Sequence, residues 1–232
     1  MNRTVDVATS FLASVKRLGM GMRVGRLGAR PEKLLELYDI EASPYCRKVR
    51  EALSILDLEA MIYPCPREGR RFRPIVQERG GKLQFPFLVD PNANLTLYES
   101  DDIVKYLFRV YGDGDVPLLL RLGPITNATA LGASVLRAGL GHFARPSRAP
   151  EKPLELWSFE ASPFCRIVRE ELSVLEIPYR LHNVAKGSPS RQAFIARSGR
   201  MMVPFLHDPN MDVDMFESAD IVDYLRRTYA TR

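Results

Sequence analysis

The sequence predicts an α/β protein made of two tandem copies of one unit, each copy a four-stranded mixed sheet flanked by helices. Two observations lead there. A set of motifs recurs in the same order at nearly constant spacing, and within each copy short apolar runs alternate with segments of helical period. Length agrees, since 232 residues accommodate two domains of about a hundred residues each.

The repeat is explicit. Leu35-Glu36-Leu37-Tyr38 is answered by Leu154-Glu155-Leu156-Trp157, and Glu41-Ala42-Ser43-Pro44-Tyr45-Cys46-Arg47 by Glu160-Ala161-Ser162-Pro163-Phe164-Cys165-Arg166, at an offset of 119. Pro86-Phe87-Leu88-Val89-Asp90-Pro91-Asn92 then matches Pro204-Phe205-Leu206-His207-Asp208-Pro209-Asn210, and Glu99-Ser100 matches Glu217-Ser218, at an offset of 118. Ala8-Thr9 and Ala13-Ser14-Val15 have counterparts in Ala128-Thr129 and Ala133-Ser134-Val135, which places the basic N-terminal segment inside the repeated unit rather than in a transit peptide.

Each unit reads as an apolar leading segment, then strand, helix, strand, helix, strand, strand, helix. In the first, Leu34 to Tyr38 is a short apolar strand. Val49, Ala52, Leu53 and Leu56 supply the stripe of a helix buried on one face. Ile62 and Tyr63 lie on the second strand, and Phe72 to Glu78 form a short helix stopped by Gly80-Gly81. Pro86 to Val89 and Leu95 to Tyr98 make a hairpin around Asp90-Pro91-Asn92, and Ser100 is expected to cap a last helix carrying Ile103, Val104, Tyr106 and Leu107. This order is the thioredoxin-like layout. The domain organisation expected is a helical segment at 1–32 packing on a first domain at 33–112, a helical linker at 113–152, and a second domain at 153–232.

Composition narrows the function. Hydrophobic and charged fractions of 46% and 26% are those of an ordinary globular protein. Three cysteines, Cys46, Cys65 and Cys165, are too few and too widely spaced for a disulfide scaffold or a zinc site, and they suggest a reducing, cytoplasmic setting; His142, His182 and His207 have no ligand spacing, so no metal is expected. A net charge of +5 suits an anionic partner, but no nucleic-acid-binding signature accompanies it. The apolar stretch from Val116 to Gly141 is interrupted by Arg121, Asn127 and Arg137, which argues against a transmembrane span.

Three motifs bear on chemistry, and each has a plain structural use. Ser43-Pro44 and Ser162-Pro163 fall at a strand-to-helix turn, where serine caps and proline starts a helix. Cys46 and Cys165 follow in the first turn, where the helix dipole can favour a thiolate, although a cysteine there can equally be buried packing. Pro86 and Pro204 open a strand, and a cis bond after Phe85 or Val203 would leave a free hydrogen-bonding edge for a peptide ligand. Glu99-Ser100 and Glu217-Ser218 precede a helix, where a hydroxyl and unpaired N–H groups suit a carboxylate while the glutamate suits an ammonium.

Taken together, the strand, Ser-Pro-x-Cys, helix, x-Pro before a strand and Glu-Ser before a helix resemble the glutathione-binding N-terminal domain of soluble glutathione transferases and the related glutaredoxins. The tandem arrangement looks like a family of tandem glutathione-transferase N-terminal-domain proteins. The resemblance implies glutathione as co-substrate, with Ser43 and Ser162 facing its sulfur, Phe85-Pro86 and Val203-Pro204 pairing with its cysteinyl backbone, and Glu99-Ser100 and Glu217-Ser218 holding its γ-glutamyl group. The catalytic candidates are then Ser43 and Ser162, with Cys46 and Cys165 as secondary thiols rather than the primary nucleophile, the two cysteines matching the second of the glutaredoxin pair. The first is serine in both copies, so dithiol reduction is not expected, and the long helical domain of transferases is missing. The expected activity is transfer to an electrophile or a mixed disulfide. The alternative is a non-catalytic module that docks a protein partner or a membrane surface, with Phe11, Leu12, Val15 and Leu18 as an amphipathic contact. Cys65 has no counterpart in the second copy and is expected to serve as packing.

Overall fold

In a computed structural model of the chain, residues 21–121 and 141–231 are described. The expected helices over Thr4 to Met20 and Ala128 to Leu140 lie outside them.

The first repeat runs β1 (Leu35–Asp39), α1 (Pro44–Ile55), β2 (Ala60–Pro64), α2 (Arg73–Gly80), β3 (Phe87–Asp90), β4 (Leu95–Leu97) and α3 (Ser100–Tyr111). A single turn, α4 (Leu118–Arg121), follows. The second runs β5 (Leu154–Ser158), α5 (Pro163–Val174), β6 (Tyr179–Asn183), α6 (Ser190–Ser198), β7 (Phe205–Asp208), β8 (Val213–Phe216) and α7 (Ser218–Tyr229). Among the described residues no helix is long and apolar enough to cross a membrane.

Within each repeat the first two strands are parallel and the next two antiparallel, the β-α-β unit followed by a hairpin that the motif order predicts. Strand alternation sorts the side chains. Leu35, Leu37, Ile62 and Leu88 face α1 and α3, while Tyr38, Cys65, Phe87 and Val89 form a smaller cluster on the side of α2. In the second repeat Trp157, Val184, Phe194 and Phe205 fill the same place beside α6. The hairpin turns are tied down alike: Asp90 accepts hydrogen bonds from the hydroxyls of Tyr106 and Tyr111 and from Asn92, and Asp208 from those of Tyr224 and Tyr229 and from Asn210.

The two sheets are one. Strand β2 pairs antiparallel with β6, with Met61 opposite Arg180, giving eight strands in the order β4-β3-β1-β2-β6-β5-β7-β8. A continuous core of Leu, Ile and Val side chains from both repeats lies beneath the joint sheet. On its other face His182 binds Glu59 across the seam at 2.8 Å and Glu155 at 2.9 Å while stacking on Trp157 at 4.2 Å. Against the burial that would raise it, His182 and Arg180 hold the Glu59 carboxyl down to about 2.

Leading segments cross over. The Val24 N–H donates to the Lys186 carbonyl and the Lys186 N–H to the Met22 carbonyl, so Met22 to Val24 lie on the second repeat, while Gly25, Gly28 and Arg30 bond back to Ile55, Tyr111 and Leu56 of the first; residues 21–32 are not the helix expected there. At the equivalent place Arg67 exchanges the same pair of bonds with His142 and Ala144, so those residues lie on the first repeat, while Arg145, Ser147 and Arg148 bond to Val174, Leu175 and Tyr229 of the second; residues 141–152 are not the helix expected there.

Buried charges join the halves as well. Arg50 reaches Asp39, Glu41 and Glu160, and Arg169 reaches Glu41 and Glu160, all of them buried. The Ser54 hydroxyl accepts from the Glu160 N–H at 3.1 Å and donates to Asn183. Symmetry breaks at two positions bordering this charge cluster. Ser158 stands where the first repeat has Asp39. Likewise, Glu176 accepts the N–H groups of Arg70 and Arg71, whereas its counterpart Asp57 is a methylene shorter and meets Pro189, which has no N–H, where Arg70 would be. One Asp57 carboxylate oxygen is left without a hydrogen-bond partner among the described residues.

Candidate functional site

Sheet register gathers the three motifs of each repeat at one end of the sheet. In the first repeat Tyr38 pairs with Phe87 and Leu88 with Leu97. Pro86 directly precedes Phe87 at that end, the Tyr98 ring packs on Phe87 with Glu99 following it, and the chain leaving β1 reaches the Ser43 turn at the same end. The second repeat repeats the register through Trp157, Phe205 and Phe216, bringing Val203-Pro204 and Glu217-Ser218 to the side of Ser162. The Phe85-Pro86 and Val203-Pro204 peptide bonds are both cis.

Ser43 is the N-cap of α1: its Oγ accepts from the Cys46 N–H at 3.4 Å, and Pro44 opens the helix. Ser162 caps α5 in the same way at 3.2 Å. Each capping hydroxyl accepts from the amide and is also hydrogen-bonded to the thiol of its cysteine, so a ligand sulfur would have to compete with that thiol for the hydroxyl hydrogen. Access differs between the copies, because Ser43 is half-buried and Ser162 is 4% exposed.

Of the two readings open for the helix-start cysteines, the structure shows the buried one. Cys46 and Cys165 are fully buried. Burial, reinforced by the Asp39 charge, pushes the Cys46 thiol up to about 12 despite hydrogen bonds from Ser43 and from the Ile40 N–H, which donates to Sγ at 3.4 Å. Burial raises Cys165 too, against the lowering by Ser162. The cost of desolvating a thiolate exceeds what one helix end returns. Cys65 is also buried, packed with Tyr38, Val76 and Phe87, and its thiol is raised well above the ordinary value by burial.

At the other helix the capping expectation is corrected. Ser100 and Ser218 are the first helical residues, and Glu99 and Glu217 occupy the cap positions with φ of 62° and 67° and no side-chain cap bond. Positive φ in a glutamate is uncommon and costs energy. Its recurrence in both repeats turns the start of α3 and α7 so that the first helical N–H groups are not covered by the residue's own side chain. Glu99 is oriented by the Gln84 amide, which donates to its carboxylate.

Several residues here escaped the sequence reading. Lys48, fully buried, binds Asp101 and so ties α1 to the beginning of α3. The second repeat has Ile167 and Ala219 at these positions, and Met202 where the first has Gln84. The first site is thus the more polar of the two. One signal was available: both repeats hold a glutamate two residues before the serine and an arginine seven after it, Glu41 with Arg50 and Glu160 with Arg169, the residues that cross the seam.

No curated protein matches the sequence. Among solved structures, a trimeric glutathione transferase from Leishmania is 13% identical, with 86% of this chain and 68% of that one covered and a TM-score of 0.31. The family model described as the glutathione S-transferase N-terminal domain matches twice, at residues 37–117 and 156–232. These stretches take in all or part of every strand and each Ser-Pro, cis-proline and Glu-Ser motif, and together they span more than half of the chain, which belongs to the glutathione S-transferase N-terminal-domain family.

Proposed function

We propose that the protein binds glutathione at the first repeat and uses it as a co-substrate, transferring it to an electrophile or a mixed disulfide. The observation that carries this reading is the convergence of the Ser43 turn, the Phe85-Pro86 edge and the Glu99-Ser100 helix start at one end of the sheet. The γ-glutamyl carboxylate is received by Ser100 and the uncapped N–H groups of α3, and its ammonium by Glu99. Phe85, one residue before the paired strand begins, offers its backbone to the cysteinyl unit. Ser43 donates its hydroxyl hydrogen to the sulfur and, with the N-terminus of α1, favours the thiolate. The thiol proton goes to solvent. The thiolate then forms a bond to carbon as a leaving group departs, or to the sulfur of a mixed disulfide as the second thiolate leaves. Cys46 and Cys165 take no part as nucleophiles. The second site shares the scaffold, but its buried serine makes it the weaker candidate for catalysis.

Calorimetric titration with glutathione tests the reading. Glu99→Gln with Ser100→Ala removes charge-assisted contacts worth about 1.5–3 kcal/mol each, so affinity at the first site should fall at least ~10-fold. Unchanged affinity would overturn it. One observation favours the alternative of a docking module: Tyr45 and Phe164, the aromatic residues of the two Ser-Pro-x-Cys motifs, are 48% and 43% exposed. A wild-type chain that fails to bind glutathione resin would leave docking as the function of that surface.

A further inference from the structure

We propose that Arg169 of the second repeat is a positioning residue for the Ser43 turn of the first, acting through Glu41, so that the first site is completed from across the seam. The inference takes its ligand readout from the glutathione reading above.

Glu41 lies two residues before Ser43, in the turn that joins β1 to α1. Its carboxylate is buried and is gripped by Arg169, with Nε 3.1 Å from Oε2 and Nη2 3.2 Å from Oε1. This bidentate contact fixes both the position and the plane of the carboxylate. The Glu41 backbone is held too, its carbonyl accepting from Arg50 at 3.1 Å. From the other side the exchanged segment closes over the residue, since a Cβ added to Gly141 would stand 3.2 Å from that of Glu41. The only freedom left to the turn is therefore what these contacts allow, and Ser43 follows directly, its N–H bonded to the Ile40 carbonyl at 2.9 Å.

The relationship is reciprocal. Glu160 lies two residues before Ser162 and is bound by Arg50 of the first repeat at 3.1 Å, its N–H is held by Ser54 of the first repeat, and Gly21 covers it as Gly141 covers Glu41. Neither arginine is argued to touch a ligand. Each acts by aiming the serine of the other repeat.

The test uses the full chain carrying Glu217→Gln and Ser218→Ala, so that glutathione titration reports the first site. Arg169→Lys keeps the buried charge but loses the fork. Glu41→Gln keeps the shape but loses the charge. Each should raise the glutathione Kd about 10-fold, and the two together less than the product of the two, because they share the Arg169–Glu41 contact while Glu41 also binds Arg50 and Arg169 also binds Glu160. In ligand-free protein, hydrogen exchange at the Cys46 and Arg47 amides, which donate to the Ser43 side chain and carbonyl, should quicken about 10-fold in Arg169→Lys while exchange in α3 is unchanged. Parental Kd and parental exchange in Arg169→Lys would overturn the proposal, as would fully additive effects. A parent chain that binds no glutathione would refute the functional reading instead, and the exchange measurement then decides the positioning role alone.

Discussion

Lys48 in α1 and Asp101 in α3 form an ion pair in the first repeat, and the second repeat puts Ile167 and Ala219 at the same two positions. The partners are unequal, because the Lys48 side chain is fully buried whereas that of Asp101 is half exposed. Asp101→Ala should therefore cost about 3 kcal/mol, since it strands a buried ammonium, while Lys48→Ile should cost less than about 1 kcal/mol, since the carboxylate left behind is solvated. The double variant, which copies the second repeat, should lie within about 1 kcal/mol of the parent. Urea unfolding of the four proteins checks this.

The charge cluster at the seam contains one carboxyl that the second repeat does without. Burial raises Asp39 to about 6, with Glu41 and Glu160 adding to the rise and Arg50 opposing it. The folded state therefore binds this proton more tightly than the unfolded chain does. Between the ordinary carboxylate value of 3.8 and about 6, the Asp39 contribution to stability falls as pH rises. Asp39→Ser, which copies Ser158, should remove that slope and stabilise the protein near neutral pH by about 1 kcal/mol, the loss of the Arg50 contact offsetting part of the gain. Subtracting the two stability-versus-pH curves isolates the residue; a difference that does not change between pH 4 and 6 would refute the assignment.

Asp90 behaves in the opposite sense. Burial alone would raise it, but hydrogen bonds from Tyr111, Tyr106 and Asn92 hold it below its ordinary 3.8. Its contribution is present above that value and is lost as pH falls through the lower folded value. Asp90→Ala leaves two buried tyrosine hydroxyls without their acceptor and should destabilise by about 2–4 kcal/mol, with Asp208→Ala costing a similar amount through Tyr224 and Tyr229. Thermal unfolding of both variants tests the equivalence.

Ser43→Cys recreates Cys-Pro-Tyr-Cys at a half-buried helix start, where the dipole lowers the new thiol's pKa. Glutathione-dependent reduction of a mixed disulfide should rise several-fold, since the attacking group becomes a thiolate. Ser162→Cys should gain little, because the new thiol would be buried. Thiolate absorbance followed against pH, together with the exchange rate, separates the two. A folded, glutathione-binding Ser43→Cys without new activity would show that Ser43 does not face the sulfur.

The repeat, the element order and the positions of the Ser-Pro, Phe-Pro and Glu-Ser motifs were legible because each has a local signature: apolar period, turn chemistry or a proline. The pairing of β2 with β6 was not, because main-chain hydrogen bonds between two strand edges leave no side-chain pattern; Ala60 and Ile62 read as ordinary strand residues. The burial of Arg50 and Arg169 has no local signature, since it depends on partners more than a hundred residues away. The helix dipole argued for a reactive Cys46, and only the packing of α1 against the sheet shows that desolvation prevails. Ser100 satisfied the composition rule for a cap, yet the positive φ of Glu99 lets the helix start one residue earlier, at Ser100 itself.

The seam also has a bearing on association. Because β2 and β6 are equivalent strands paired antiparallel, and because the crossed segments and the Arg–Glu contacts are reciprocal, each half offers the other much the same backbone surface that it receives, the Glu59 contacts with Arg180 and His182 being the exception on one face. Such an isologous contact is the kind that two separate copies of one repeat would make. The covalent connection then acts as a tether that sets the effective concentration of the halves, so the joined sheet forms independently of protein concentration. A chain carrying a single repeat would leave a strand edge unpaired and buried charges without their counter-ions, and would recover both by dimerising.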